Sequence, residues 1–270
     1  MKNQKTSDCS LTEIKSKSFA NGIVYALKTE DGYLIETTDT FLPAYTQNAI
    51  GLKQNSLLSS EIGSRSERWM IGVSTMSGCP VRCKFCATGS MKKWRNLTAQ
   101  EIVDQVTFVL SKRSEKFGDA FEHKINYTRM GEPFLNIDNV REAIKIIDSL
   151  YPKTHHYIST IGIEGSDFSW IKENITLQIS VHSLLDDKRN WLIPYKRKMT
   201  LKQLGQIRTK SYLKTTVNMT LVDESDFDIE KLIEMFDKDY FFIKLSPINP
   251  NAISEGHEMG TGVIESVNII

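Results

Sequence analysis

Gly78-Cys79-Pro80-Val81-Arg82-Cys83-Lys84-Phe85-Cys86-Ala87-Thr88-Gly89 places three of the chain's four cysteines at spacings of four and three. Thiolates on one short loop can converge on a single metal centre. Three of them cap three irons of a 4Fe–4S cube and leave the fourth iron without a protein ligand. An iron open beside soft ligands can bind a substrate or cosubstrate directly. Other readings of the same residues fit less well. A structural zinc site needs four closed ligands; the remaining cysteine, Cys9, lies far upstream, so a His would have to complete the set. Cys83-Lys84-Phe85-Cys86 alone suggests a thioredoxin-like redox pair but leaves Cys79 unexplained. A disulfide framework does not suit a chain of this size with so few cysteines and no signal peptide. The expected metal ligands are Cys79, Cys83 and Cys86.

Working outward, the composition is that of a globular protein: 270 residues, 40% hydrophobic, 25% charged, formal net charge +1. That charge gives no global bias toward nucleic acid or anionic membrane. No apolar run approaches the roughly 20 residues needed to span a bilayer. Residues 1–18 are polar and read as a flexible or weakly helical leader, unlike a signal peptide. A cytoplasmic protein is expected, in a reducing compartment and away from membranes.

Two strands, 22–29 and 33–38, join through Glu30-Asp31-Gly32, and residues 44–65 read as a long loop. The strand 68–75 delivers the chain into the cysteine loop. Thr98, with Glu101 three residues on, forms a capping box for a helix to about residue 112. Then follow strand 123–128, helix 138–150, strand 156–161, a short helix near 168–172 and strand 176–182. A basic loop, helix 200–209, strand 214–222, helix 228–236 and strand 240–247 complete the pattern. Six strands alternating with helices predict a parallel sheet with right-handed crossovers. The expected fold is therefore α/β, an open, partial (β/α)6 barrel with a short N-terminal β-hairpin extension and chemistry at the strands' C-terminal ends. The expected division is 1–66 for leader and β extension, 67–250 for the barrel and 251–270 for a C-terminal tail.

The other motifs fall at such strand ends. Met130-Gly131-Glu132-Pro133 offers a glycine that lets a ligand approach backbone and a carboxylate that can accept from an ammonium group; a plain turn is equally consistent. Ser159-Thr160-Ile161-Gly162 and Ser180-Val181-His182-Ser183 carry hydroxyls that could meet a ribose or carboxylate, or merely satisfy loop backbone. A lone His is usually structural. Asn249, in Ser246-Pro247-Ile248-Asn249-Pro250, could read an adenine.

Cys-x-x-x-Cys-x-x-Cys with an aromatic before the last cysteine resembles the radical S-adenosylmethionine (SAM) superfamily. The resemblance implies a 4Fe–4S cluster whose open iron chelates SAM, and a reductant such as flavodoxin or ferredoxin. It implies cleavage of SAM to methionine and a 5′-deoxyadenosyl radical that abstracts hydrogen from substrate. Residues 78–89, Trp94-Arg95-Asn96-Leu97, Met130–Asn136, Ser159-Thr160-x-Gly162, Ser180–Ser183, Ile193-Pro194 and Asn249 sharpen it. They resemble the family that methylates carbon-2 of an adenosine in ribosomal and transfer RNA, with its carbon-8 resistance methylase. Carried over by position, SAM would be held by Gly131, Glu132, Ser159, Ser180, Val181, His182 and Asn249. Glu36 falls where that family places a proton-accepting glutamate.

The chain departs from that family at two thiols. One stands seven residues before the first cluster ligand, which here is Gly72; the other is C-terminal, and no cysteine follows Cys86. The helical RNA-binding domain that usually precedes the barrel is also expected to be missing. Covalent methyl transfer cannot run without its nucleophile. The expected activity is thus SAM cleavage and hydrogen abstraction from an unidentified substrate, without cysteine-based methyl transfer. Two other readings stay open: an RNA methyltransferase using another thiol such as Cys9, and a non-catalytic RNA-binding or redox-sensing relative. Lys92-Lys93-Trp94-Arg95, Lys188-Arg189 and Lys196-Arg197-Lys198 suggest a substrate bearing phosphate: a nucleotide, RNA or phosphorylated metabolite.

Overall fold

The structure, a computed structural model, describes residues 10–44, 46–47, 53–54, 62–220, 228–246, 248, 251–257 and 259. Two compact units interleave along the chain. The first takes Met1–Ser77, Leu97–Met130 and Ile137–His156; the second takes Gly78–Asn96, Gly131–Asn136 and Tyr157–Ile270.

In the first unit, β1 (Thr12–Phe19), β2 (Gly22–Lys28), β3 (Leu34–Leu42), β4 (Arg68–Val73) and β5 (Glu122–Tyr127) neighbour one another in that order. The first three pairings are antiparallel and β4 pairs with β5 in parallel. Trp69, Ile71 and Val73, alternate residues on one face of β4, are fully buried. Helices α1 (Ala99–Ser111) and α2 (Ile137–Leu150) complete the unit. The capping box expected at Thr98 is present, with both the Thr98 side chain and the Glu101 side chain bonded to backbone N–H groups.

β1 corrects the reading of residues 12–18 as part of a leader; residues 1–9 lie outside the described residues. Its side chains are mostly exposed, so composition gave no sign of order. What holds it is the backbone ladder to β2, from Thr12↔Lys28 to Phe19↔Gly22. Lysines on such an outer strand discourage pairing with other chains. The N-terminal extension is therefore three-stranded rather than a hairpin. Within the expected 44–65 loop, Thr46–Gln47 pairs with Lys53–Gln54; residues 45, 48–52 and 55–61 lie outside the described residues.

Asp39 on β3 anchors this unit. Its fully buried carboxylate accepts from Arg65 at 2.8 Å, Arg113 at 2.6 Å and Trp69 Nε1 at 2.8 Å. Arg113 also donates to the Tyr25 hydroxyl at 2.8 Å. The network ties β2, β3, β4 and the end of α1 through one desolvated charge.

In the second unit, β6 (His155–Thr160, from Tyr157 onward), β7 (Ile175–Ser180), β8 (Thr215–Thr220) and β9 (Phe241–Ser246) are successive neighbours. β7–β8 and β8–β9 are parallel. Helices α3 (Asp186–Leu192), α4 (Leu201–Gly205), α5 (Ile229–Met235) and α6 (Ala252–Gly256) accompany them. The fold is thus mixed α/β with a largely parallel sheet, as expected.

Local differences have local causes. The helix expected near 168–172 is a pair of turns, because the Asp167 carboxylate accepts the Ser169 N–H at 2.8 Å and competes with helical bonding. α4 stops at Gly205, where a Cβ would lie 2.1 Å from the Met235 carbonyl oxygen. The expected basic loop after β7 contains α3, begun by Asp186 and Asp187 in its first turn. Among the described residues, no helix is long and apolar enough to cross a membrane.

Asp39→Ala is expected to leave two guanidinium groups without their buried partner and to cost about 3–5 kcal/mol. Urea denaturation followed by far-UV circular dichroism measures this; a loss below about 1 kcal/mol would show that the network is not the unit's anchor.

Candidate metal centre and cosubstrate site

The loop after β4 brings Cys79, Cys83 and Cys86 to half-buried positions, none in a disulfide. Several bonds fix its path. Arg82 takes a left-handed φ of 59°, and Cys86 N–H donates to the Cys83 carbonyl at 3.1 Å. Lys84 N–H donates to Leu192 O at the end of α3, at 2.9 Å. From the far end of the chain, Asn251 Nδ2 donates to Phe85 O at 3.0 Å, while its Oδ1 caps α6 through Ile253 and Ser254 N–H.

Phe85 meets His182 edge-on with ring centroids 4.8 Å apart. His182 has φ 64°, held there because Val181 N–H and His182 N–H both donate to Asn218 O. Its Nδ1 accepts Thr220 N–H at 3.0 Å, which assigns the ring proton to Nε2. Burial, followed by the charge of Arg189, lowers its pKa to about 3. His182 is therefore a neutral brace between β8 and the cysteine loop.

Cys79 and Cys83 sit in an environment that resists their ionisation. Burial pushes Cys79 up to about 12, against N–H groups of Val81 and Arg82 that bond its sulfur; the charges of Glu132 and Cys86 raise it further. Cys83 is raised well above its ordinary value by burial, then by Cys86, Cys79 and Glu132. Three mutually repelling thiolates and a carboxylate in one low-dielectric pocket fit a polycationic occupant such as a set of irons, which deprotonates its thiol ligands. Among the described residues no group of His, Cys, Asp or Glu is arranged to hold a single ion. A cube does not require one, since each thiolate caps a different iron.

Gly131 takes φ 103°, closed to residues with a Cβ, and turns the chain so that Glu132 points inward. Glu132 is 3% exposed. One carboxylate oxygen accepts Phe134 N–H at 3.1 Å and the other Ile161 N–H at 2.9 Å. Burial raises its pKa to about 7, opposed by bonds from Thr160, Ile161 and Phe134. An ammonium group beside it would restore full ionisation.

Ser159, half-buried, donates to Gln178 Oε1 at 3.2 Å. Ser180, half-buried, ends β7 opposite Asn218, and Val181 is fully buried. Asn249 lies outside the described residues. All the other expected cluster and cosubstrate residues fall in the second unit. Glu36 belongs to the first, on β3, where it pairs with Arg129. Beside that pair is Gly72: Thr37 Oγ1 donates to its carbonyl at 2.7 Å and its N–H donates to Thr38 Oγ1 at 3.2 Å. A Cβ there would lie 2.4 Å from Thr38 Oγ1 and 3.0 Å from Arg129 Cδ, so a side chain would have to displace the Thr38 hydroxyl and press on Arg129.

Sequence reasoning missed two contributors. Asn251, placed in a tail, braces the cysteine loop; its Asn-x-x-Ser capping pattern was the available signal. Arg189, taken with Lys188 for a phosphate-facing patch, is 3% exposed. Its Nη1 donates to Met199 O at 2.8 Å and its Nη2 to Ile161 O at 3.1 Å. By contrast Lys92, Lys93, Trp94, Lys196 and Arg197 are exposed as expected. Arg82, Lys196 and Arg197 rim a groove of about 360 Å³ floored by Pro80, Val81, Pro194 and Tyr195.

Residues 73–236 match the family model described as the Radical SAM superfamily. The chain is 34% identical over 192 residues to a probable dual-specificity RNA methyltransferase RlmN of Pseudothermotoga lettingae, covering 66% of this chain and 54% of that protein. It is 34% identical over 238 residues to the protein of the same name from Chlorobaculum tepidum, covering 81% and 62%. The chain thus spans a little over half the length of these relatives. A radical SAM methyltransferase from Sphaerobacter thermophilus shares the fold, with TM-score 0.63 and 23% identity over 94% of this chain and 75% of that one.

The buried Glu132 carboxyl has a pH signature. Because its folded pKa of about 7 lies above its ordinary 4.5, the folded state holds the extra proton, and its contribution declines as pH rises from about 4.5 to 7. His182, lowered to about 3, acts with the opposite sign between about 3 and 6.5. In cluster-free protein, wild-type stability minus that of Glu132→Gln is expected to fall by about 3 kcal/mol between pH 4 and 8. Urea titrations at several pH values check this; a flat difference would mean that the carboxyl is not desolvated.

Proposed function

The chain belongs to the radical SAM superfamily, and on that premise we propose that it is an enzyme that reductively cleaves SAM for hydrogen abstraction without cysteine-based methyl transfer. Members of the superfamily use a 4Fe–4S cluster and SAM. When bound, the cluster supplies the electron that splits a carbon–sulfur bond of SAM, leaving methionine and a 5′-deoxyadenosyl radical. Cys79, Cys83 and Cys86 would hold it. Glu132 would accept hydrogen bonds from the amino group of SAM, with Gly131 offering open backbone and Ser159, Ser180, Val181 and Asn249 completing the contacts. His182 would serve through its brace on Phe85. The buried pocket limits water near the reacting carbon.

The observation that carries this reading is the gathering of three half-buried thiols with the buried Glu132, two of them and the carboxylate desolvated, a donor set suited to iron and ammonium together. The loss of methyl transfer is supported by Gly72, where the neighbouring Thr38 and Arg129 occupy the space a cysteine would need. Glu36, paired with Arg129, would act as a proton acceptor only after leaving that ion pair. A substrate bearing phosphate, RNA included, is supported by the exposed cations at 92–93 and 196–197 and by the relatives named RNA methyltransferases. An electron donor such as flavodoxin or ferredoxin would complete the system.

After anaerobic reconstitution, the protein with dithionite and SAM is expected to yield 5′-deoxyadenosine, and Cys83→Ala none. Glu132→Gln is expected to weaken SAM binding roughly ten- to a hundredfold, the worth of a charged hydrogen bond. Equal yield from Cys83→Ala would overturn the enzyme reading and favour a non-catalytic RNA-binding or redox-sensing role. Methylated adenosine in ribosomal or transfer RNA, found by nucleoside mass spectrometry, would establish a methyltransferase instead.

A further inference from the structure

Arg189 is a buried cation whose donors divide between two tasks. Nη1 and Nη2 bond the carbonyls of Met199 and Ile161. The Ile161 peptide is thereby held from both sides, because its N–H donates to Glu132. Ile161 follows directly on β6, so a buried carboxylate and a buried guanidinium together set the tip that faces the expected cosubstrate. α3, which carries Arg189, also receives the cysteine loop through Lys84 N–H on Leu192 O.

The third donor, Nε–H, is buried and has no hydrogen-bond partner among the described residues. A buried donor left without an acceptor costs roughly 1–3 kcal/mol, so a native site keeps one where an acceptor is to be supplied. Its position indicates which: Arg189 shares the Ile161 peptide with Glu132 and lies one helical turn before Leu192, whose carbonyl takes the Lys84 N–H next to Cys83. Burial draws the Arg189 pKa down to about 10, and the two charges that oppose it are Asp186 and the Cys83 thiolate. On the side of Cys83, burial, Cys86, Cys79 and Glu132 weigh more, so the arginine is a moderate influence on that sulfur rather than its chief one.

We propose that Arg189 is a positioning residue for the metal centre: its Nη groups fix the Ile161 edge against Glu132, and its Nε–H serves the sulfur shell at Cys83. This rests on the cluster reading above. Hydrogen bonds and positive charge at cluster sulfurs favour the reduced, more negative state and so raise the reduction potential.

The test compares the reconstituted wild type with Arg189→Gln and Arg189→Lys by redox titration monitored through electron paramagnetic resonance. Arg189→Gln is expected to make reduction about tenfold less favourable, which for one electron is a fall of about 59 mV. Arg189→Lys, which keeps the charge without the Nε–H, is expected to lie between the two and remains informative if the Gln variant does not assemble a cluster. Wild-type potential in the Gln variant, or in the Lys variant, overturns the assignment of the Nε–H donor. Failure of the wild type to assemble any 4Fe–4S cluster would instead defeat the reading of the site on which the proposal rests.

Discussion

Three half-buried thiols and one buried carboxylate lie close together in the second unit, and much of that unit holds them there. Burial raises the ionisation cost of Cys79, Cys83 and Glu132, and the charges of Cys86 and Glu132 add to it at Cys79 and Cys83. Such a set is tolerated only if cations arrive or are built in. The built-in cation is Arg189, and under the function proposed above the arriving ones would be the irons and the ammonium group of the cosubstrate. Until then Cys79 and Cys83 hold their protons, and the Glu132 carboxyl has a pKa of about 7.

Holding that set in place falls to segments remote in sequence. α3 receives the cysteine loop at Lys84, α6 holds it at Phe85 through Asn251, and His182 supports the same phenylalanine from the end of β7. His182 does so in a left-handed conformation uncommon for a residue with a side chain. Two hydrogen bonds to the Asn218 carbonyl and one from Thr220 determine that conformation. The restraints act on the loop backbone, which lets three flexible side chains be presented with little further loss of entropy on metal binding.

The first unit tells a different story. There Asp39 concentrates four donors on one carboxylate and ties its strands together, and the sheet position at Gly72 is packed shut by Thr38 and Arg129. A glycine between such neighbours is a consequence of close approach, not of turn geometry. A side chain at that position would meet Thr38 first and Arg129 next.

Much of the site was legible because its chemistry is local: Cys79, Cys83 and Cys86 lie within eight residues, and Gly131-Glu132 adjoin. The alternation of apolar strands and capped helices likewise announced a largely parallel α/β sheet, since periodicity and capping are properties of short segments. What composition could not announce was held by partners distant in the chain. β1 is polar and exposed yet ordered by its ladder to β2, and Arg189 sits in a basic run yet is buried. Sequence by itself determined the donor set, the strand order in the making and the absence of a thiol at Gly72. Only the tertiary structure decided which charges lose their water, because desolvation depends on everything that packs around a group and on nothing within the group itself.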